Sequence, residues 1–156
     1  MRVRALLVVV PAVVMSAHVA EAQSWTAAEQ VIIDRTIECQ QAAVDRNKEV
    51  RLGCYHRSYS GWNVNMPVPQ GYDQIPAGYE RNAPSPGGPT PAGFYIQPLA
   101  VRLAGNTAAI HYYLYPYFRR PDGTLETRRS RWTDVLVNEG GRWSWIADHG
   151  GRDDLP

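Results

Sequence analysis

Gly140-Gly141-Arg142-Trp143-Ser144-Trp145-Ile146-Ala147-Asp148-His149 closes a long strand-like run that begins at Phe94. Reading back from it, Arg142 to Ala147 is a strand and Asn138 to Gly141 the turn before it. Leu125 to Val137 reads as one long strand, and Pro121-Asp122-Gly123 as a tight turn with the glycine such turns need. Thr107 to Arg119 and Tyr95 to Leu103 are two more strands, joined at Gly105-Asn106. Ile110, Tyr112 and Leu114 alternate with His111, Tyr113 and Tyr115, the two-residue period of a strand with two different faces. Pro116 cannot donate to a ladder and marks a bulge or an edge. The run is an antiparallel meander.

Upstream, Thr26 and Glu29 have the spacing of a capping box, and Ala27 to Val44 contains neither Gly nor Pro. We read a helix there, with Ile33, Ile37, Gln41 and Val44 on one side and Ile32, Cys39 and Ala43 nearby. A second short helix is expected from Lys48 to Tyr59, and a short strand at Trp62 to Asn65. Between Met66 and Gly93, seven prolines and five glycines fall within 28 residues. That composition suits a covering loop better than a strand or helix interior, with Tyr72 and Tyr79 as the side chains able to fold over a ligand.

The chain has 156 residues, one domain's worth. Residues 1–22 read as a signal peptide: Met1-Arg2-Val3-Arg4 is basic, Ala5 to Val14 apolar, and Ala20-Glu21-Ala22 a cleavage pattern. Pro11 and the shortness of the apolar run argue against a membrane anchor, so no stable membrane insertion is expected after cleavage. Residues 23–156 would form one exported domain, periplasmic or secreted. Losing Arg2, Arg4 and Glu21 leaves 14 basic and 14 acidic residues, against 16 and 15 in the full chain. A neutral domain is poorly suited to nucleic acid.

Cys39 and Cys54 would meet an oxidising compartment. On one unbroken helix they would lie roughly 22 Å apart at 1.5 Å per residue, so a bridge requires the chain to turn back near Asp45-Arg46-Asn47. The alternative is two buried thiols. Their spacing is not that of a metal site, and no cofactor is expected. There is no Gly-x-Ser-x-Gly elbow, phosphate loop or dinucleotide fingerprint.

The layout resembles the nuclear transport factor 2-like superfamily, in its SnoaL-like branch. Gly105-Asn106-Thr107-Ala108, Asp122-Gly123, Arg131-Trp132-Thr133-Asp134-Val135 and Gly141-Arg142-Trp143 leading to His149 carry the resemblance. Asp45 matches an acidic position common there. The resemblance implies an α+β cone in which a curved antiparallel sheet wraps on an N-terminal helical layer and leaves a pocket at its open end. It also implies small-molecule binding, frequent dimerisation through the sheet, and in some members isomerase, dehydratase or cyclase activity. The stretch 66–93 departs from it, because the family usually carries a third short helix there.

Within that frame, His149 is the candidate for proton transfer, with Asp45 or Asp134 as its carboxylate. Asp148, the next residue, would point to the opposite face. The plainer alternative is a histidine that closes the sheet by hydrogen bonds. Candidate ligand-binding residues are Trp62, Tyr113, Tyr115, Arg131, Thr133 and Trp145. An inward Arg131 would need Asp45 as its partner. The aromatic strand Tyr112 to Phe118 serves equally as core or as a dimer face. Arg119, Arg120, Arg128 and Arg129 cluster at a hairpin tip, offset by Asp122 and Glu126. The expected function is binding of a small, largely apolar molecule by a domain expected to form a homodimer in the family's manner. A cofactor-free isomerase, dehydratase or cyclase and a protein-interaction module are the alternatives.

Overall fold

A computed structural model describes residues 23–153, so the expected signal peptide lies outside the described residues. The first helix, α1 (Ala27–Val44), starts at the expected capping box: Thr26 Oγ1 accepts from the Glu29 amide, and Glu29 Oε2 accepts from the Thr26 amide. Its buried face is Ile32, Ile33, Thr36, Cys39 and Ala42, rotated from the face expected, and Ile37 is 39% exposed. Thr36 can be buried because its hydroxyl donates to the Ile32 carbonyl one turn back, at 2.9 Å. A polar residue that satisfies itself in this way is invisible to a count of apolar spacings.

The chain reverses at Arg46, which takes a left-handed φ of 56°. Helix α2 (Lys48–Leu52) follows, capped by Asn47 and ended at Gly53. Cys54 then bonds to Cys39, with Cα atoms 6.0 Å apart. The second helix is therefore much shorter than expected. Tyr55–Asn63 is instead strand β1, longer than the four residues predicted, and it pairs in parallel with the last strand.

The stretch 66–93 is also more ordered than a plain loop. It holds the two-residue strand β2 (Gln70–Gly71), a 3-10 turn at Tyr72–Gln74 and helix α3 (Ile75–Arg81). Pro76 lies in the first turn of α3, where proline's missing N–H costs nothing. The third short helix of the resemblance is thus present. Arg46 holds it, donating to the Tyr79 carbonyl and lying 4.2 Å from the Tyr79 ring centroid.

Strand β3 (Thr90–Ala104) includes Pro91 and Pro98, which it tolerates as an edge strand with bulges beside both prolines. Its neighbour β4 (Thr107–Arg119) has the expected bounds. The long third strand is split at Arg128-Arg129 into β5 (Leu125–Thr127) and β6 (Ser130–Glu139). Pro116 lies where β4 passes from pairing with β6 to pairing with β5. The last strand, β7 (Arg142–Arg152), runs five residues past its expected end. The sheet order is β2-β1-β7-β6-β4-β3, antiparallel except for the β1–β7 pair. Helix α1 packs on its inner face over Ile110, Leu136, Val101 and Tyr112, all essentially inaccessible to water. This is the expected α+β architecture, with a mixed rather than purely antiparallel sheet.

Candidate functional site

One extra residue in β7 decides which side chains face the helices. Leu136 pairs with Trp145 and Val135 with Ala147, leaving Ile146 as a bulge. Strict alternation would place Trp145 and His149 on the same face. A bulge shifts the alternation by one, so Trp145 and Asp148 face inward and His149 outward. Asp148 then lies directly across from Asp134 of β6.

These two carboxylates lie in a cavity of about 510 Å³ between the sheet, α1 and the 66–82 segment. Its walls are aromatic, with Tyr55, Tyr59, Tyr112, Trp132 and Trp145 among them. Asp134 is only 2% exposed, and its Oδ2 accepts from the Tyr112 hydroxyl at 2.8 Å. Asp148 Oδ2 accepts from the Tyr59 hydroxyl at 2.6 Å. Gly61 of β1 permits that contact, because a Cβ there would collide with both the Tyr59 hydroxyl and the Asp148 carboxylate. Gly150 makes similar room for the Trp132 ring.

Burial pushes Asp134 up to about 8, and the charge of Asp148 adds to that; the Tyr112 hydrogen bond and Arg51 act in the opposite direction. Asp148 is also raised by burial, opposed by the Tyr59 hydrogen bond, Arg51 and His149. Burial, and then the adjacent carboxylates, hold the Tyr59 and Tyr112 hydroxyls far above their ordinary range, so both remain neutral donors. Near neutral pH Asp134 therefore carries a proton, and Asp148, the less buried of the two, is the better base.

Of the three arginines that line the cavity, Arg46, Arg51 and Arg81, it is Arg51 that acts on both carboxylates. Its Nη1 donates to the Cys39 carbonyl at 2.8 Å, and its guanidinium lies 4.8 Å from the Trp145 ring centroid. The disulfide joins the residue bearing that carbonyl to the end of α2, so it helps to fix Arg51. Two buried donors in the cavity wall, the Trp145 Nε1–H and the Tyr79 hydroxyl, have no partner among the described residues. A buried donor without a partner is costly, so these two sites are points of stored instability beside the cavity.

Of the residues expected from sequence to form the site, Trp145 and Asp134 line this cavity, Asp134 without the expected His149 beside it. His149 is exposed on the outer face, its ring 6.0 Å from that of Trp62. Asp45 is the exposed C-cap of α1, where it accepts from Gln41. The His149–Asp45 pairing therefore does not form, and the two lie on opposite sides of the sheet. Arg131 is exposed on the outer face rather than buried against Asp45. Thr133 also faces out, its hydroxyl 2.8 Å from His111 Nδ1. Tyr113 and Tyr115 stack on the outer face with Tyr95 and do not line the cavity. Trp62 is 48% exposed and donates to the Met66 carbonyl. Tyr79 reaches the cavity wall, whereas Tyr72 packs beneath Arg57. At the hairpin tip, Arg120 and Arg128 both bond Glu126, as the charge pattern suggested.

The sequence reading missed Tyr59, Tyr112, Arg51 and Asp148 as site residues. One signal was present: Asp134 and Asp148 each interrupt a largely apolar strand, in Trp132-Thr133-Asp134-Val135-Leu136 and Trp145-Ile146-Ala147-Asp148. A carboxylate at an inward position of a core strand calls for a function or a partner.

No family model and no curated protein matches the chain. Solved structures do. ActVI-ORFA from Streptomyces coelicolor superposes with a TM-score of 0.71 at 14% identity, covering 83% of this chain and 100% of that one. A nuclear transport factor 2-like protein from Cytophaga hutchinsonii gives 0.64 at 14% identity, over 80% and 97%. A ketosteroid isomerase-like protein from Erwinia carotovora atroseptica gives 0.65 at 11% identity, over 84% and 100%. At such identities the likeness is one of fold, and it agrees with the resemblance read from the residues: this chain has the nuclear transport factor 2-like fold.

Proposed function

We propose that the cone cavity binds a small molecule bearing a carbonyl or similar acceptor, and that Asp148 and Asp134 move a proton on it without a cofactor. The observation that carries this reading is the cross-strand carboxylate pair, each member held by a tyrosine hydroxyl, inside an aromatic cavity. Asp148 would take a proton from carbon beside the carbonyl. The protonated Asp134 would donate to the oxygen on which charge develops. The reaction class is isomerisation, or a related dehydration or cyclisation. The ketosteroid isomerase-like neighbour supports this reading by fold alone.

The test is hydrogen–deuterium exchange at the α-carbon of a simple cyclic ketone in D2O, followed by proton NMR. Exchange that depends on Asp148 supports the proposal. Binding without exchange would reduce the domain to a small-molecule carrier, the second reading, which the aromatic walls of the cavity also favour.

We also propose an exported homodimer. The disulfide suits an oxidising compartment, and no helix among the described residues is long and apolar enough to cross a membrane. The outer-face tyrosines Tyr95, Tyr113 and Tyr115 supply an aromatic surface for a second copy. Sedimentation of the wild type beside a Tyr95→Glu, Tyr115→Glu variant tests the dimer. A wild-type monomer would refute it.

A further inference from the structure

A second cavity, of about 180 Å³, adjoins the first. Its own walls are Val44, Pro91, Phe94, Pro116, Tyr117 and Phe118, and it contains no charged side chain. The two cavities share Gln40, Ala43 and Leu114. The boundary between the two cavities is thus formed by residues of α1 and β4. Gln40 is its polar member, donating to the Tyr112 hydroxyl over a long 3.4 Å. That bond is weak enough for the amide to swing aside at little cost, and Tyr112 keeps its stronger contact to Asp134.

One chamber therefore has a polar floor with two carboxylates and the Arg51 guanidinium, and the other, Gln40 apart, is lined by apolar and aromatic side chains. A wholly apolar ligand would leave the first floor unsatisfied. A wholly polar one would gain nothing from the second chamber. The geometry points to a single amphiphilic ligand, with a carbonyl-bearing head between Asp134 and Asp148 and an unbranched apolar arm running past Gln40 into the second chamber. At about 30 Å³ per small group, that chamber takes an arm of roughly six carbons. The head rests on the function proposed above; the arm does not.

The probe is the series of straight-chain 2-alkanones from 2-butanone to 2-decanone. Their affinity is read by tryptophan fluorescence, since Trp132 and Trp145 line the main cavity. Affinity is expected to rise about fourfold per added methylene and to level off once the chamber is full. Val44→Trp, which plugs the second chamber alone, should abolish that rise and keep 2-butanone within about twofold of wild type. Phe94→Ala, which widens it, should move the plateau to a longer chain, and provides the test should Val44→Trp fail to fold. A wild-type affinity that ignores chain length, or a rise that survives the plug, overturns the two-chamber ligand.

Asp134→Asn separates the two ideas. Chain-length dependence with no effect of Asp134→Asn keeps the arm and removes the carboxylate head. The reverse result keeps the head and removes the arm. A chain that binds no ketone of any length overturns both.

Discussion

Asp134 and Asp148 are direct cross-strand partners on the inner face of the sheet, each accepting a hydrogen bond from a different tyrosine. Two carboxylates so placed cannot both ionise cheaply, and one cation, Arg51, stands near them. The expected outcomes below follow from this pair and from the elements that bring it together.

The first concerns pH. Asp134 binds its proton more tightly in the folded protein than in the unfolded chain, where its value is about 4. The folded state therefore holds the extra proton between about pH 4 and about pH 8, and this group's contribution to stability declines as pH rises through that window. Asp134→Asn removes the decline. Urea unfolding at pH 5 and pH 8 should show the variant gaining on wild type at the higher pH, by an amount on the order of a few kcal/mol. Parallel pH profiles for the two proteins would contradict the placement of this proton.

The second separates neighbours in sequence. Asp148→Asn should lower α-proton exchange at least about 100-fold, the usual scale for loss of a positioned base. His149→Ala should leave exchange within about twofold, and stability within about 0.5 kcal/mol, because it alters an exposed outer-face residue. Loss of exchange in the histidine variant alone would return the chemistry to the outer face.

Gly61 provides a packing test. Its neighbours are the Tyr59 hydroxyl and the Asp148 carboxylate, so a methyl group must push both away. Gly61→Ala should cost about 1–3 kcal/mol in denaturant unfolding and lower proton exchange at the same time. An unchanged exchange rate in a folded Gly61→Ala protein would mean that the Tyr59–Asp148 contact is dispensable.

The disulfide closes the loop between Cys39 and Cys54, a separation of 15 residues. Replacing both cysteines with serine should cost about 3 kcal/mol. Because Arg51 is bonded to the Cys39 carbonyl, the same change should loosen the cation and raise the apparent pKa of ketone exchange. A pH–rate profile superimposable on that of wild type would show that Arg51 is held without the bridge.

The sequence by itself determined the content of this fold. Alternation from Phe94 onward, the Thr26–Glu29 capping box and the turn signals are local, and the structure follows them closely from Thr107 to Arg119. The cysteines likewise bond across a reversal at Arg46, near where one was required. Prolines misled where their role depended on position: Pro76 starts a helix, and Pro91 lies in an edge strand, both within the stretch read as a loop. The site itself was decided by tertiary structure. Whether Asp148 or His149 faces inward depends on the bulge at Ile146, and a bulge is a property of two paired strands that no single strand's period reveals. Tyr59 and Gly61 reach Asp148 because β1 pairs in parallel with β7, a contact spanning almost 90 residues that local sequence cannot encode. Alternation is local physics, but the choice of face belongs to the assembled sheet.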